Sequence, residues 1–147
     1  MYFIEGLAHM GLNTGALYQV TGQAPAFTWV KIADFNDAPE AFAVVGNDVY
    51  ITQFQAFNAF RNLQKEVILK KMFWSSLYPN SVAVFDNNEV CIGLRGGYVR
   101  LNTQTKTFRF FQHLPSSTRG KPVGYVGLGP GLRGERPPLE RRGERQE

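Results

Sequence analysis

The sequence predicts an all-β fold made of repeated four-stranded antiparallel sheets, and three observations support this. Short apolar runs alternate with polar turns along residues 1–118. The pattern returns with a period of about 40 residues, as in a repeat protein, because AVVGNDVYI (43–51) aligns with AVFDNNEVCI (83–92). A proline also precedes the second and third repeats, Pro39 before EAFAVV and Pro79 before NSVAVF.

Each complete unit is predicted to contain four short strands. In the second unit, about residues 39–79, these are Ala41–Val45, Asp48–Gln53, Ala59–Leu63 and Val67–Met72. In the third unit, about residues 80–115, they are Ser81–Phe85, Glu89–Leu94, Tyr98–Asn102 and Thr107–Phe111. The first unit, about residues 1–38, provides only Phe3–His9, Ala16–Thr21 and Thr28–Asp34, so its innermost strand has no matching segment.

The segments between the predicted strands have the residues that tight turns require. Gly46-Asn47 and Asp86-Asn87-Asn88 tolerate the left-handed backbone of short hairpins. The runs AFAVV, SVAVF and FRFF do not alternate cleanly between apolar and polar residues. That pattern is typical of a sheet that is covered on both faces.

The third unit resembles a β-propeller blade of the kelch type or of the two-component-regulator type. Gly96-Gly97 closes the second strand, Tyr98 opens the third, and a turn with Asn102 and Thr105 leads to Phe108. The resemblance implies a partial propeller over residues 3–112, with fewer than three complete blades. Because known propellers close rings of about four to eight blades, it implies either a fragment of a larger propeller or a ring completed by several copies.

A helix at about residues 56–74 is the structural alternative. Phe60, Leu63, Val67 and Trp74 recur near helical spacing, and the segment is rich in good helix formers. The alignment with the third unit favours two strands in this segment. If the helix forms instead, the fold is α+β.

The C-terminal segment, residues 119–147, is predicted to be a disordered tail. It contains seven Gly and four Pro, a composition that cannot bury enough apolar surface to fold. It also carries seven of the 16 basic residues, whereas residues 1–118 have nine basic and eight acidic residues. Although RGER occurs twice, at 133–136 and 142–145, each copy contains a glutamate and no aromatic residue. The basic charge therefore does not indicate nucleic-acid binding.

The sequence has neither a membrane span nor a signal-peptide pattern. No apolar run approaches the ~18 residues that cross a bilayer, and Glu5 follows the start without a basic region. The compartment stays open, with the cytoplasm as the default expectation.

No catalytic or metal-binding constellation stands out, so we predict no cofactor and no metal. His9 and His113 lie far apart, and neither has a second ligand at metal spacing. Cys91 falls in the middle of a predicted strand and is interpreted as a small core residue. Asp86 and Glu89 flank a turn, where solvation explains them better than acid–base chemistry.

The propeller resemblance implies a candidate binding face. In propellers, the loops between second and third strands open on the same side as the connectors between blades, and that side usually holds the ligand. Here it would present His9, Asn13, Gln53, Asn58, Trp74, Tyr78 and Arg95, with Gln55 and Phe57 nearby. Amides, rings and an arginine suit a sugar, a peptide or another polar ligand.

Three functional classes follow from these observations. We favour a non-catalytic binding or sensor module that is built of propeller-like blades, forms a fragment of a larger propeller and binds a protein, peptide or sugar partner. The second class is part of a propeller enzyme whose active site is not complete in this chain. The third is a structural subunit that closes a ring by self-association. Propeller folds host many unrelated functions, so the fold alone does not choose among them.

Overall fold

A computed structural model describes residues 1–9, 12–86, 88–112 and 124–127, and within them the chain is nearly all β. The strands are β1 Tyr2–His9, β2 Leu12–Gln23, β3 Ala26–Phe35, β4 Pro39–Val45, β5 Asp48–Gln53, β6 Phe57–Arg61, β7 Gln64–Leu69, β8 Ser81–Val84, β9 Glu89–Leu94, β10 Gly97–Asn102, β11 Thr107–Gln112 and β12 Gly124–Gly127. A short 3-10 helix, Phe73–Leu77, lies between β7 and β8.

The strands form three antiparallel sheets in chain order. Sheet one is β1-β2-β3, sheet two is β4-β5-β6-β7, and sheet three is β8-β9-β10-β11-β12. Every strand pairs with its neighbour in sequence, so each sheet is a simple meander. The prediction of an all-β fold with repeated antiparallel sheets is confirmed.

Residues 57–69 form the strands β6 and β7 rather than the alternative helix, but the predicted bounds are shifted. β6 and β7 begin two to three residues before the predicted Ala59 and Val67. The reason is the turn between them, Asn62-Leu63, where φ is 48° and 66°. A two-residue turn with both φ values positive is type I′, which favours Asn-Gly. Leucine at its second position gives no turn signal in the sequence.

Sheet two lies between the other two sheets and is buried on both faces. Val49, Ile51 and Phe60 pack with Leu17 and Phe35 of sheet one. The opposite face packs against sheet three through a second apolar cluster that includes Tyr50, Phe57, Ala59, Val90, Ile92, Val99, Leu101 and Phe110. Burial on both faces explains why the apolar runs of this unit do not alternate with polar residues.

Sheet three is covered on one face only within the described residues. Along β9, Val90, Ile92 and Leu94 are buried, while the alternate residues are partly exposed. Successive side chains of a strand point to opposite faces. Glu89 and Cys91 therefore lie on the face directed away from sheet two.

Sheet one has three strands. The strand that leads into the next sheet shows how they correspond to the strands of the other two sheets. β3 leads into β4 through residues 36–38, as β7 leads into β8. Its strands therefore correspond to the second, third and fourth of the other sheets. The start of β4 packs directly on β1 and β2: a Cβ at Gly6 would lie 2.6 Å from the Pro39 backbone oxygen.

The hairpin β2–β3 is longer than predicted and extends beyond the rest of sheet one. The predicted bounds were Ala16–Thr21 and Thr28–Asp34, whereas the ladder pairs residues as far as Gln23 with Ala26. Residues 21–30 are exposed on both faces. We call this outer part of the hairpin, residues 19–30, the arm.

The C-terminal segment contains one strand that the sequence did not predict. β12 pairs with β11, with Phe111 opposite Gly124 and Phe108 opposite Gly127. The disordered tail expected over residues 119–147 stays a prediction. The remainder of residues 119–147, like His113 and Pro115, lies outside the described residues.

Candidate functional site at the connector edge

The loops and connectors that join the strands meet along one edge of the three sheets. We call this edge the connector edge; it consists of residues 36–38, 54–56, 70–80 and 95–96. Backbone hydrogen bonds join neighbouring segments: Phe54 N donates to Ala38 O at 2.9 Å, and Arg95 N donates to Leu77 O at 2.6 Å. The loops and connectors thus share one edge.

Asn13 and Asp37 link sheet one to the connector edge. Asn13 Nδ2 donates to Asp37 Oδ1 at 2.8 Å, and Asn13 Oδ1 accepts from Ala38 N at 2.7 Å. Asp37 Oδ2 accepts from the backbone N of Gln55 at 2.6 Å. Both oxygens of Asp37 and the amide of Asn13 are therefore engaged within the protein.

Gln53 is the centre of a buried polar network. Its Nε2 donates to the Asp37 backbone oxygen, and its Oε1 accepts from Asn58 Nδ2. Its backbone oxygen accepts from the indole nitrogen of Trp74 at 3.2 Å. Gln53, Asn58 and Trp74 are all buried. These three predicted ligand-binding residues therefore hold the loops together from beneath the surface.

Two carboxyl groups of this region have shifted pKa values. Burial raises the pKa of Asp37, although hydrogen bonds from Gln55 and Asn13 oppose the shift. Burial also raises the pKa of Glu40, and the neighbouring charge of Asp37 raises it further. Partial desolvation of two nearby acids makes their charged forms less favourable in the folded protein.

Tyr78, Arg95 and Phe54 form an accessible cluster on the edge. The Arg95 guanidinium lies 4.8 Å from the centre of the Tyr78 ring. The Phe54 ring meets the Tyr78 ring edge to face, with centroids 6.3 Å apart and planes at 67°. Tyr78 is 49% exposed and Arg95 is exposed. Each of the three comes from a different segment of the connector edge.

The backbone at Tyr78 is held in an uncommon conformation. Its φ is 47°, in the left-handed region that residues with a Cβ rarely occupy. The hydrogen bond from Arg95 N to Leu77 O fixes the connector immediately before it. Such strained positions cluster at functional sites because the surrounding structure must stabilise them.

The predicted site residues thus fall into two groups. Tyr78 and Arg95 lie together at the surface, whereas Asn13, Gln53, Asn58 and Trp74 belong to the supporting network. For His9, the last residue of β1, only the backbone is described. Phe54 and Asp37 were not predicted. Phe54 could have been predicted, because it is a large ring in the loop segment QFQAF. No sequence pattern pointed to Asp37.

The other reactive side chains have local structural roles. Asp86 Oδ1 accepts from the backbone N of Asn88 and of Glu89, both at 2.7 Å, which closes the turn before β9. Burial raises the pKa of the Cys91 thiol, which disfavours the reactive thiolate. Within the described ranges, no group of three His, Cys, Asp or Glu side chains is placed to hold a metal ion.

In the part of the chain that the structure describes, no helix has the length and apolar character needed to cross a membrane. Comparisons with protein-family models, with curated proteins and with solved structures gave no match for this chain.

Proposed function

We propose that the chain is a non-catalytic binding module built of propeller-like sheets, and that it binds ligands at Tyr78, Arg95 and Phe54. The observation that carries this proposal is the exposed stack of Arg95 on Tyr78 at 4.8 Å. Tyr78 lies in the connector between sheets two and three, and Arg95 lies in the turn between β9 and β10 of sheet three. A contact between such segments is a common location for ligand recognition on a rigid scaffold.

The chemistry of the stack favours a ligand that carries a carboxylate. An arginine that stacks on a ring keeps the edge of its guanidinium available, and that edge matches a carboxylate with two parallel hydrogen bonds. No ion pair of Arg95 is found among the described residues. Phe54 adds apolar contact area beside the charged group. An acidic peptide or an acidic sugar has both features.

The rigidity of the edge also supports a binding role. Three hydrogen bonds on Gln53 and two on Asp37 fix the loops that present the exposed residues. A site whose loops are already ordered loses little conformational entropy when a ligand binds. The buried amides therefore contribute to affinity indirectly, by holding the surface residues in place.

The experiment is a titration of the full chain with acidic peptides and acidic oligosaccharides, read by calorimetry and by chemical shifts of the connector edge. Arg95→Ala should remove most of the binding, and Arg95→Lys should retain little, because lysine cannot form the bidentate contact. The matched control is Arg109→Ala, which removes an exposed arginine from sheet three. Equal loss in both alanine variants, or binding unaffected by Arg95→Ala, would reject the proposal.

A further inference from the structure

The two outer sheets each leave one face uncovered by the described residues. The middle sheet is packed on both faces, whereas sheets one and three are each packed only on the face toward it. The faces directed away from sheet two are named here the sheet-one end face and the sheet-three end face. Their composition indicates what each could contact.

The sheet-one end face is aromatic. Cross-strand partners point to the same side of a sheet, so the pairs Phe3–Tyr18, Val20–Trp29 and Gly22–Phe27 place four rings on this face. Phe3 stacks on Tyr18 with centroids 4.7 Å apart. Farther along the arm, Phe27 is 51% exposed and Trp29 is 65% exposed.

The same face carries more acidic than basic residues. Glu5 accepts a hydrogen bond from Tyr18 Oη at 3.1 Å, and Lys31 pairs with Asp34 at 2.9 Å. Two carboxylates and one ammonium give the side chains of this face a net charge of −1. An exposed aromatic stripe rimmed by charges is the usual composition of an interaction surface.

The sheet-three end face is basic and has its own aromatic pair. Tyr98 stacks on Phe111 with centroids 4.8 Å apart. Arg100 lies directly opposite Arg109 on the neighbouring strand, an unfavourable placement of like charges. Glu89 binds Arg100 and no carboxylate pairs with Arg109 among the described residues. Two guanidinium groups and one carboxylate give the side chains of this face a net charge of +1.

A cleft lies along this pair of arginines. It encloses about 400 Å³ and is lined mainly by Glu89, Arg100, Asn102, Thr107, Arg109 and Phe111. Within the described residues, the side chain of Arg109 has no hydrogen-bond or ion-pair partner. The cleft therefore has room for an inserted side chain and a cation that lacks an anionic partner.

From these two faces we infer that the chain self-associates head to tail, with the sheet-one end face of one copy on the sheet-three end face of the next. The net charges of the faces are opposite, and each offers a stacked pair of rings. In this contact Trp29 would approach the arginine pair, where a cation–π interaction is favourable. The face-to-face packing of sheet one on sheet two within a molecule would be repeated between molecules.

A contact of this kind joins two different surfaces, so a pair of copies keeps one free surface of each type. Such heterologous contacts close into rings or continue as open chains. This inference does not rest on ligand binding at Tyr78 and Arg95. Those residues lie on the connector edge and would stay accessible in the assembly.

The test uses two variants of the full chain, each damaged on one end face. Phe27→Ser/Trp29→Glu alters the aromatic arm, and Arg100→Gln/Arg109→Glu alters the basic face. All four side chains are at least partly exposed, and exposed substitutions generally change stability little. Circular dichroism and thermal unfolding of each variant establish that it is folded.

Light scattering after size exclusion gives the result. The wild type should form multimers whose mass rises with concentration, and each variant alone should stay monomeric. An equimolar mixture of the two should give a dimer of twice the monomer mass and nothing larger, because only one intact pair of faces remains. No isologous contact produces that result.

Three outcomes would overturn the inference: a wild type that stays monomeric at every concentration, multimers that survive both sets of substitutions, or variants that remain monomeric when mixed. If the arm variant fails to fold, Glu5→Lys/Asp34→Lys takes its place, since it changes only exposed charges. That variant should weaken assembly with the wild-type basic face, and unchanged assembly would contradict the charge complementarity.

Discussion

The indole nitrogen of Trp74 donates a hydrogen bond to the backbone oxygen of Gln53, 3.2 Å away, and both residues are buried. Trp74 lies in the connector between sheets two and three, whereas Gln53 ends β5. The bond therefore links the connector to the strand that carries the rest of the polar network. Trp74 also belongs to the apolar cluster between the two sheets.

Trp74→Phe should lower the free energy of unfolding by about 1–3 kcal/mol, because it leaves a buried carbonyl without its partner. The chain offers a matched control, Trp29→Phe, since Trp29 is 65% exposed. That substitution should change the free energy by at most about 0.5 kcal/mol. Denaturant titration measures both values, and equal effects at the two tryptophans would contradict the burial of Trp74.

Gly15→Ala should be strongly destabilising. A Cβ at this position would lie 2.2 Å from the Glu5 backbone oxygen and 2.3 Å from Pro39 Cδ, so sheet one and β4 would have to separate. Overpacking of this kind typically costs about 1–3 kcal/mol. The control is Gly46→Asn, where the turn is open and asparagine tolerates the φ of 59°. An unchanged thermal midpoint for Gly15→Ala would show that β4 does not pack there.

The pKa shifts of Asp37 and Glu40 predict a dependence of stability on pH. Both carboxyls have pKa values raised above 3.8 and 4.5, the ordinary values for these groups. The folded state therefore binds these protons more tightly than the unfolded state. The resulting stabilisation is fully present below the ordinary pKa values and is lost as the pH rises through the raised ones.

Asp37→Asn/Glu40→Gln removes both titrating groups, so the difference in unfolding free energy between wild type and variant should change with pH in that window. As the pH falls from neutral, the wild type should gain stability relative to the variant. Urea titrations at a series of pH values measure the difference. A constant difference, or a wild type that loses stability relative to the variant, would contradict the burial of these acids.

The sequence identified the strands because short apolar runs, turn residues and the internal repeat all indicated the same elements. It placed β9 within its observed bounds, since Asp86 and Gly96 mark the turns on either side. It misplaced β6 and β7 because Leu63 adopts a positive φ that its side chain does not favour. The outer end of the arm, residues 22–27, was missed because these residues are exposed and follow no apolar pattern.

The candidate site was harder to predict than the fold. Polar residues in loops look alike in a sequence, whether they bind ligands or support neighbouring loops. Gln53 and Asn58 are separated by five residues and become partners only because β5 and β6 pair. Tyr78 and Arg95 meet because two connectors come together at one edge, a contact that depends on the packing of sheets two and three.

Proton–proton contacts measured by NMR test the stacking of the three sheets most directly. The Phe60 ring of sheet two lies edge to face against the Phe35 ring of sheet one, with centroids 6.0 Å apart. The other face of sheet two packs through Tyr50 against the cluster that contains Ile92 of sheet three. We expect cross-peaks between Phe60 and Phe35, together with contacts from the Tyr50 side to sheet three. Sequential amide contacts of a helix through residues 57–69, without a Phe60–Phe35 contact, would contradict the stacked-sheet fold.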